Sequence, residues 1–410
     1  MIEIRPRHAH LHHRSIVQPR EPAFWVFTGL LVYGSVRVVD ALSALATISS
    51  SGWALSWLLL ALYAVPAFVL IYRLDLYERE PLSLATGAFL WGALAATALT
   101  LEAAGWNQAV AEAFGPAVAT RWGPVLTAPL VEETLKGAGV VLLYLIARDE
   151  VDDMMDGFVY GALCGLGFAV VEDVVYFMAT FGGDPGGVLQ GFYVRVISSG
   201  LYGHVLYTGL IGMGIGYLVS HRHDRTLGHR IGVAATLGAA GVVGHAVWNS
   251  PVLTSLYPAE PIDGATWLLV PVVLAVKGAP VLIAGGLALW LARVRETRWL
   301  QQALAAELDG DAIVPAELAV LRDPRARRRA VASMRRRAGP AAARLLARLH
   351  REQVNLAMVI SRVPTSDDPA TAAQRAHCRS LRTALAAIPG ASTAARPTDH
   401  PHPRAAPPER

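Results

Sequence analysis

Ionisable side chains interrupt four consecutive apolar stretches of the sequence, near residues 125–146, 157–181, 198–219 and 231–249. A charged group in hydrocarbon costs about 2.5–3.5 kcal/mol even on lenient insertion scales, so such groups are functional candidates by default. Carboxylates can activate water, and imidazoles can carry protons or bind metals. The side chains that raise this expectation are Glu132, Glu133, Lys136, Glu172, Asp173, His204, His245 and Asn249.

The spacing of these residues favours one shared site. Three pairs are separated by four residues, which puts both members on one helix face. Because successive spans run in opposite directions, counting 1.5 Å per residue places the acids and imidazoles roughly 6–14 Å below the outer surface. The sequence therefore predicts one polar site in the outer half of the membrane. The three pairs are Glu132 with Lys136, Phe168 with Glu172, and His245 with Asn249.

Several of these residues also have a structural explanation. Lys136 can form a buried structural ion pair with Glu132 or Glu133. Asp173 can be a helper or an acid that faces water. Lys277 in the last apolar stretch is expected to snorkel or to pair with one of the acids. The convergence of the acids and imidazoles on one level is what favours a functional site.

The composition of the chain excludes a water-soluble enzyme. Of its 410 residues 53% are apolar and 17% are charged, and the mean hydropathy is +0.39. The sequence predicts an all-α, polytopic membrane bundle of about eight transmembrane helices, each long enough for a hydrocarbon core of about 30 Å. Residues 103–120 are compatible with an interfacial helix. The predicted spans lie near 24–48, 53–72, 82–101, 125–146, 157–181, 198–219, 231–249 and 267–291.

The placement of arginines gives the predicted orientation. Thirteen arginines lie in the N-terminal segment, in the loops at 73–81, 147–156 and 220–230, and at the start of the tail, whereas the opposite loops hold two. Because cytoplasmic loops are enriched in Lys and Arg, both termini are expected in the cytoplasm. The first apolar run lacks a small-residue cleavage site, which indicates an uncleaved span.

Charge and composition divide the chain into four segments. A basic cytoplasmic N-terminal segment (1–21) precedes the membrane domain (22–291), which is followed by a basic helical cytoplasmic tail (292–388) and a disordered C-terminus (389–410). The arginine run DPRARRRAVASMRRR in the tail is typical of a solvated face or of a surface that contacts anionic lipids. Binding to nucleic acid is not expected.

The motifs of the membrane domain occur in a recognisable order. They are DLYEREP at 75–81, EExxK at 132–136, FxxxE at 168–172, Arg195 followed by His204, and HxxxN at 245–249. Over about residues 55–250 this set resembles the PrsW family of intramembrane proteases, a branch of the larger group that includes the CAAX prenyl proteases. The CAAX enzymes are expected to show EExxxR and FxxxH, so the variants here favour the PrsW branch and weaken any assignment to prenyl-protein processing.

The resemblance implies hydrolysis of a peptide bond in membrane-anchored regulatory proteins, such as anti-sigma factors of a bacterial signalling cascade, by a multi-pass protein of the cell membrane. Hydrolysis needs a base that activates water, and Glu132 or Glu133 is the expected base.

The remaining motif residues receive supporting roles under this resemblance. Glu172 and His204 would hold the water or a metal ion, and His245 with Asn249 would stabilise the oxyanion. The charge or substrate partners expected around the site are Lys136, Arg195 and Asp173.

Metal dependence stays open at this point. Glu172, His204 and His245 make a plausible zinc set, but the HExxH motif is absent and the ligands come from separate helices. No organic cofactor is expected. Two other classes of function remain. One is a proton-coupled transporter with a Glu/His/Lys relay, for which no inverted repeat is visible. The other is a non-catalytic membrane scaffold, which the intact set of polar residues disfavours.

Overall fold

The chain is helical throughout the residues that the computed structural model describes, which are 15–74, 80–103, 105–198, 202–221, 225–251, 266–308, 312–362 and 368–391. No strand occurs in these ranges, so the predicted all-α class is confirmed. The helices there are α1 Pro22–Ala46, α2 Ser50–Tyr72, α3 Leu82–Leu90, α4 Thr97–Glu102, α5 Gly105–Phe114, α6 Pro116–Leu126, α7 Ala128–Ile146, α8 Met154–Val175, α9 Pro185–Phe192, α10 His204–Ser220, α11 Leu227–Asn249, α12 Thr266–Ala305, α13 Pro315–Leu321, α14 Pro324–Arg362 and α15 Pro369–Ala386. Short π-helical turns at Trp91–Ala96, Tyr176–Thr180 and Tyr193–Ile197 follow α3, α8 and α9.

Each of the eight predicted spans corresponds to a helix. Two of these eight helices are less typical of a membrane span: α7 carries three charged side chains, and α10 has 17 residues. The segment compatible with an interfacial helix forms the shorter helices α5 and α6. Within the described ranges, the six helices long and apolar enough to cross a membrane are Pro22–Ala46, Ser50–Tyr72, Leu82–Glu102, Met154–Thr180, Leu227–Asn249 and Ala275–Ala305.

Local sequence fixes where the site-bearing helices begin. The carboxylate of Asp153 accepts hydrogen bonds from the backbone N–H groups of Met155 and Asp156, and the carboxylate of Asp156 accepts one from the N–H of Asp153. This reciprocal pair is a capping box, which starts α8. Thr226 caps α11 in a similar way, with its hydroxyl accepting from the N–H of His229.

Glycines bring α8 and α10 into close backbone contact. A Cβ atom on Gly157, Gly161 or Gly165 of α8 would lie 2.1–2.3 Å from a backbone oxygen of α10. No side chain fits at such a distance, so the two helices require glycine at these positions. The oxygen that faces Gly165 belongs to His204, the first residue of α10. This packing therefore sets the height of that histidine against α8.

A tryptophan fixes α7 against the preceding span. The indole Nε1 of Trp91 donates a hydrogen bond of 2.9 Å to the carbonyl oxygen of Leu135. A Cβ atom on Gly139 would lie 2.3 Å from the same ring. Trp91 thus packs on α7 directly beside Lys136, and it is itself buried.

The residues after the spans form their own compact unit. The chain divides into His12–Ala292 and a unit that contains Arg293–Arg410. The second unit has an apolar core that includes Met334, Leu349 and Cys378. Two partly buried ion pairs, Arg375 with Glu307 and Arg382 with Glu317, join segments far apart in the sequence. The described residues of the tail therefore pack around a core, beyond the helix-forming runs that its sequence indicates.

Some predicted segments lie outside the described residues. These are 1–14 of the N-terminal segment, 75–79 of the DLYEREP motif and 392–410 of the C-terminus. The described end of that motif is Glu80, which is buried and accepts a hydrogen bond from the hydroxyl of Tyr160 on α8.

Candidate active site

Helix α7 supplies three ionisable side chains to the membrane interior. Glu132, Glu133 and Lys136 are buried, the last two completely. The Nζ atom of Lys136 lies 3.1 Å from Oε2 of Glu132 and 2.9 Å from Oε1 of Glu133. One lysine is therefore shared by two carboxylates, and this pairing makes their burial tolerable.

Glu133 joins three helices. Its Oε1 atom lies 3.1 Å from Nδ1 of His245 on α11, and its Oε2 atom accepts a hydrogen bond of 2.7 Å from the hydroxyl of Thr208 on α10. Glu132 has fewer contacts among the described residues: Lys136, and Nε2 of His245 at 3.9 Å. Glu132 therefore keeps more of its acceptor capacity for another ligand.

His204 connects α7 with α8. Its Nδ1 atom lies 2.9 Å from Nζ of Lys136, and its Nε2 atom lies 2.8 Å from Oε2 of Glu172. An ammonium group can only donate, so Nδ1 accepts and the N–H at Nε2 donates to Glu172. The carboxylate of Glu172 thus fixes the tautomer and holds the other nitrogen of the ring toward α7.

Arg195, in the π-helical turn that follows α9, binds the two acids in the last turn of α8. Its Nη2 atom lies 2.6 Å from Oε2 of Glu172, and its Nε atom lies 2.5 Å from Oδ1 of Asp173. The guanidinium carbon lies 3.8 Å from the ring centroid of Tyr176, a cation–π contact. These contacts hold Arg195 in place, and Arg195 in turn keeps the carboxylate of Glu172 at hydrogen-bond distance from Nε2 of His204.

Aromatic rings line the charged group. Nζ of Lys136 lies 3.7 Å from the ring centroid of Phe168, whose ring also meets His204 edge to face at 5.1 Å. The ring of Tyr207 stacks on His245 with centroids 5.3 Å apart. These apolar faces exclude water and strengthen the interactions between the charged groups.

The residues present fit a metal ion. One ligand atom from each of four buried residues lies within 4.8 Å of the others. Zinc and related ions prefer such imidazole nitrogens and carboxylate oxygens. The paired acids and cations described above form one charged network. It holds four acids (Glu132, Glu133, Glu172 and Asp173) and two permanent cations (Lys136 and Arg195), so a divalent ion would balance its charge. The four residues are Glu132, Glu133, His204 and His245. Glu172, predicted as a ligand from the sequence, is not among these four residues and contacts Nε2 of His204.

Two polar residues of the sequence analysis have other partners. Asn249 donates through Nδ2 to the carbonyl oxygen of Pro124 in α6, at 3.0 Å, so its amide is bound to backbone and lies outside the charged network. Lys277 donates to the carbonyl oxygens of Trp248 and Ser250. The expectation that Lys277 snorkels or pairs with an acid is therefore wrong, because the end of α11 offers buried acceptors. The predicted residues that the network does bring together are Glu132, Glu133, Lys136, Glu172, Asp173, Arg195, His204 and His245.

Sequence reasoning missed Thr208 and Tyr207. Thr208 follows His204 by four residues, and this spacing, which puts both on one face of α10, was the available signal. The sequence contains no such signal for Tyr207, because aromatic residues are common in apolar spans. Its role follows from the crossing of α10 and α11, which brings its ring onto His245.

Replacing Asn249 with Ala distinguishes two roles for its amide. If the amide holds α6 to α11, as its bond to Pro124 indicates, the loss is one hydrogen bond of about 1 kcal/mol. We then expect the hydrolysis predicted from the sequence to slow by less than about tenfold. A donor to an oxyanion is worth about 10²–10³ in kcat, so a loss of that size would contradict the holding role. The measurement is the initial rate of substrate cleavage by purified variants.

Comparisons with known proteins give one consistent result. The family model described as PrsW family intramembrane metalloprotease matches residues 80–276. A protein named Protease PrsW, from Geobacillus kaustophilus (strain HTA426), is 36% identical over 108 residues. That alignment covers 26% of this chain and 45% of the relative, so the chain matches less than half of the relative's length. No solved structure matches at a significant level.

Proposed function

The chain belongs to the PrsW family over residues 80–276, and on this premise we propose that it is a membrane-embedded peptidase. Its proposed substrates are membrane-anchored regulatory proteins of the anti-sigma-factor-like class. The observation that carries the proposal is the buried group of Glu132, Glu133, His204 and His245, with ligand atoms within 4.8 Å of one another. A transporter relay or a scaffold has no need of a four-ligand arrangement.

Glu132 acts as the base in the proposed reaction. Its carboxylate takes a proton from the attacking water as the water oxygen bonds to the peptide carbonyl carbon. The same group then gives the proton to the amide nitrogen as the C–N bond breaks, which leaves a carboxyl group and an amine. Glu132 is favoured over Glu133 because the oxygens of Glu133 already face Lys136, His245 and Thr208.

The other residues hold the reacting groups. Glu133, His204 and His245 would bind a metal ion once the Nζ atom of Lys136, which donates to Glu133 and to Nδ1 of His204, has moved aside. The ion, when present, supplies Lewis-acid polarisation of the water and the carbonyl group. Glu172 keeps Nδ1 of His204 turned toward the site. His245 is stacked on Tyr207 and faces the same space.

A comparison of protein termini tests this function. The purified chain in lipid nanodiscs, wild type or Glu132→Gln, is incubated with membranes from cells that lack the protein, and new terminal peptides are identified by mass spectrometry. We expect new termini in or beside apolar segments of membrane-anchored proteins with the wild type alone. A chelator should suppress them, and added zinc should restore them. Identical sets of termini from the two proteins would reject the peptidase.

The proposed orientation puts both ends of the chain in the cytoplasm of a bacterial cell. Single cysteines in place of Gln108 on α5 and Ser380 on α15, both exposed, should then react with a membrane-impermeant thiol reagent from opposite sides. The two native cysteines are buried and give little background. Labelling of both positions in intact cells would contradict this topology.

We also propose that the tail contacts anionic lipids. Residues 324–351 contain ten arginines and no acid. In the first part of α14 six of the seven arginines are exposed, while Met334 on the opposite face is buried in the core of the tail unit. Such a face attracts anionic headgroups with about 1 kcal/mol per basic residue. The exposed arginines of this part are Arg325, Arg328, Arg329, Arg335, Arg336 and Arg337.

A quenching experiment checks the lipid contact. A fluorophore on a cysteine in place of the exposed Ala332 should be quenched by nitroxide lipids in phosphatidylglycerol nanodiscs at low salt. Quenching should weaken at high salt and on replacement of Arg328, Arg329 and Arg336 by Gln, because the attraction is electrostatic. Equal quenching in phosphatidylcholine nanodiscs would count against an anionic contact.

A further inference from the structure

The end of α11 is held by a lysine from α12. The last carbonyl groups of a helix have no partner within the helix and need donors from elsewhere. Nζ of Lys277 donates to the carbonyl oxygen of Trp248 at 2.7 Å and to that of Ser250 at 3.0 Å. The lysine therefore caps α11, and its positive charge lies at the negative end of the helix dipole.

The burial of this lysine makes the cap specific. The side chain of Lys277 is 6% exposed, and no acid pairs with it among the described residues. A buried ammonium group in a membrane protein is costly, so it is retained where its partners need it. Lys277 also lies one residue beyond the segment matched by the family model, which ends at 276. Its role therefore does not follow from the family motifs.

The capped turn is the one next to His245. His245 precedes Trp248 by three residues, which is one turn of helix. The same face of α12 also touches α11 and the residues just before α10. Val281 packs on Gly244, and Gly278 leaves room for the ring of Tyr202, which meets the ring of Trp248. Movement of the end of α11 would therefore carry the imidazole of His245 away from Glu133, which it contacts at 3.1 Å.

We propose that Lys277 is a positioning residue, which fixes the C-terminal turn of α11 and thereby keeps His245 against Glu133. The consequence for catalysis rests on the proposed peptidase function, whereas the consequence for the helix does not. Each consequence therefore has its own measurement.

The first measurement is the distance between the two helices. Spin labels on cysteines in place of Val243 of α11 and Val276 of α12, both exposed, report this distance in nanodiscs. We expect a narrow distribution in the parent, a broad one in Lys277→Met and a narrow one again in Lys277→Arg, which restores a charged donor. Thr236→Val removes a hydroxyl that bonds within α11 itself and should change nothing. A narrow distribution in Lys277→Met would overturn the proposal.

The second measurement is the cleavage of a substrate found in the terminal-peptide experiment. Misplacement of a reacting group by about 1 Å can cost about 10²-fold in rate. We expect Lys277→Met to lower kcat about ten- to a hundredfold with little change in KM, and Lys277→Arg to recover most of it. Parental kcat in Lys277→Met, or no recovery in Lys277→Arg, would overturn the proposal. If the wild type itself cleaves nothing, the peptidase function fails, and the spin-label distances alone decide the role of Lys277.

Discussion

Replacing Glu132 with Gln is expected to lower kcat by about 10²–10⁴, the contribution of a general base. Glutamine keeps the shape of the side chain and an oxygen that accepts from Lys136, so the protein should still fold and insert. Among the described residues Glu132 contacts Lys136 alone at hydrogen-bond distance, which limits the structural effect of the change. The measurement is the initial rate of cleavage by purified protein in nanodiscs.

The matched control is Glu102→Gln. Glu102 also belongs to a charged pair in the membrane domain, but its partner Arg37 and the pair itself are exposed and lie outside the network. Its replacement should leave the rate within about twofold, because exposed pairs contribute little. A rate for Glu132→Gln equal to that of this control would remove Glu132 from the mechanism.

Replacing Glu133 with Gln is expected to abolish activity and also to destabilise the membrane domain. Lys136 is completely buried and would lose one of its two carboxylates. Loss of a sole partner from a buried ion pair costs about 3–5 kcal/mol, and the cost is smaller here because Glu132 still contacts Lys136. The single amide oxygen of glutamine also cannot accept from both Lys136 and Thr208, which adds to the cost. The unfolding temperature of the variant in one fixed detergent should therefore fall well below that of Glu132→Gln.

The double variant Glu133→Gln with Lys136→Met tests whether the lysine is shared by both carboxylates. Removal of Lys136 takes away the one hydrogen-bond partner that buried Glu132 has among the described residues, so stability should fall further than in Glu133→Gln alone. Activity should stay absent, because the carboxylate that holds His245 and Thr208 is missing. A Glu133→Gln variant with parental stability would show that Glu132 alone satisfies the lysine.

Hydropathy and the order of the motifs were enough to predict most of the fold and many of the site residues. Apolar runs of about 20 residues have few conformations available in a bilayer, so all eight predicted spans correspond to helices. The i, i+4 spacing of Glu132 and Lys136 placed both on one face of α7, where the structure pairs them. These features are local, and the sequence therefore contains them directly.

Contacts between helices could not be predicted in the same way. Asn249 shares a helix face with His245, yet its amide reaches Pro124, because α6 ends beside α11. The partners of Lys277 are backbone carbonyl groups, which leave no trace in a pattern of side chains. The core of the tail unit likewise depends on pairs such as Arg375 with Glu307, which lie 68 residues apart.

The most direct test of the central claim, that four helices form one hydrolytic site, is the rate at which purified wild type and His204→Ala cleave the same membrane-anchored substrate in identical nanodiscs. His204 lies on α10 and contacts Lys136 and Glu172 from two other helices, so its loss disrupts the site without removing Glu132, the proposed base. We expect a rate at least about a hundredfold lower for His204→Ala, since groups that act as a unit fail together. Equal rates for the two proteins would contradict a shared hydrolytic site.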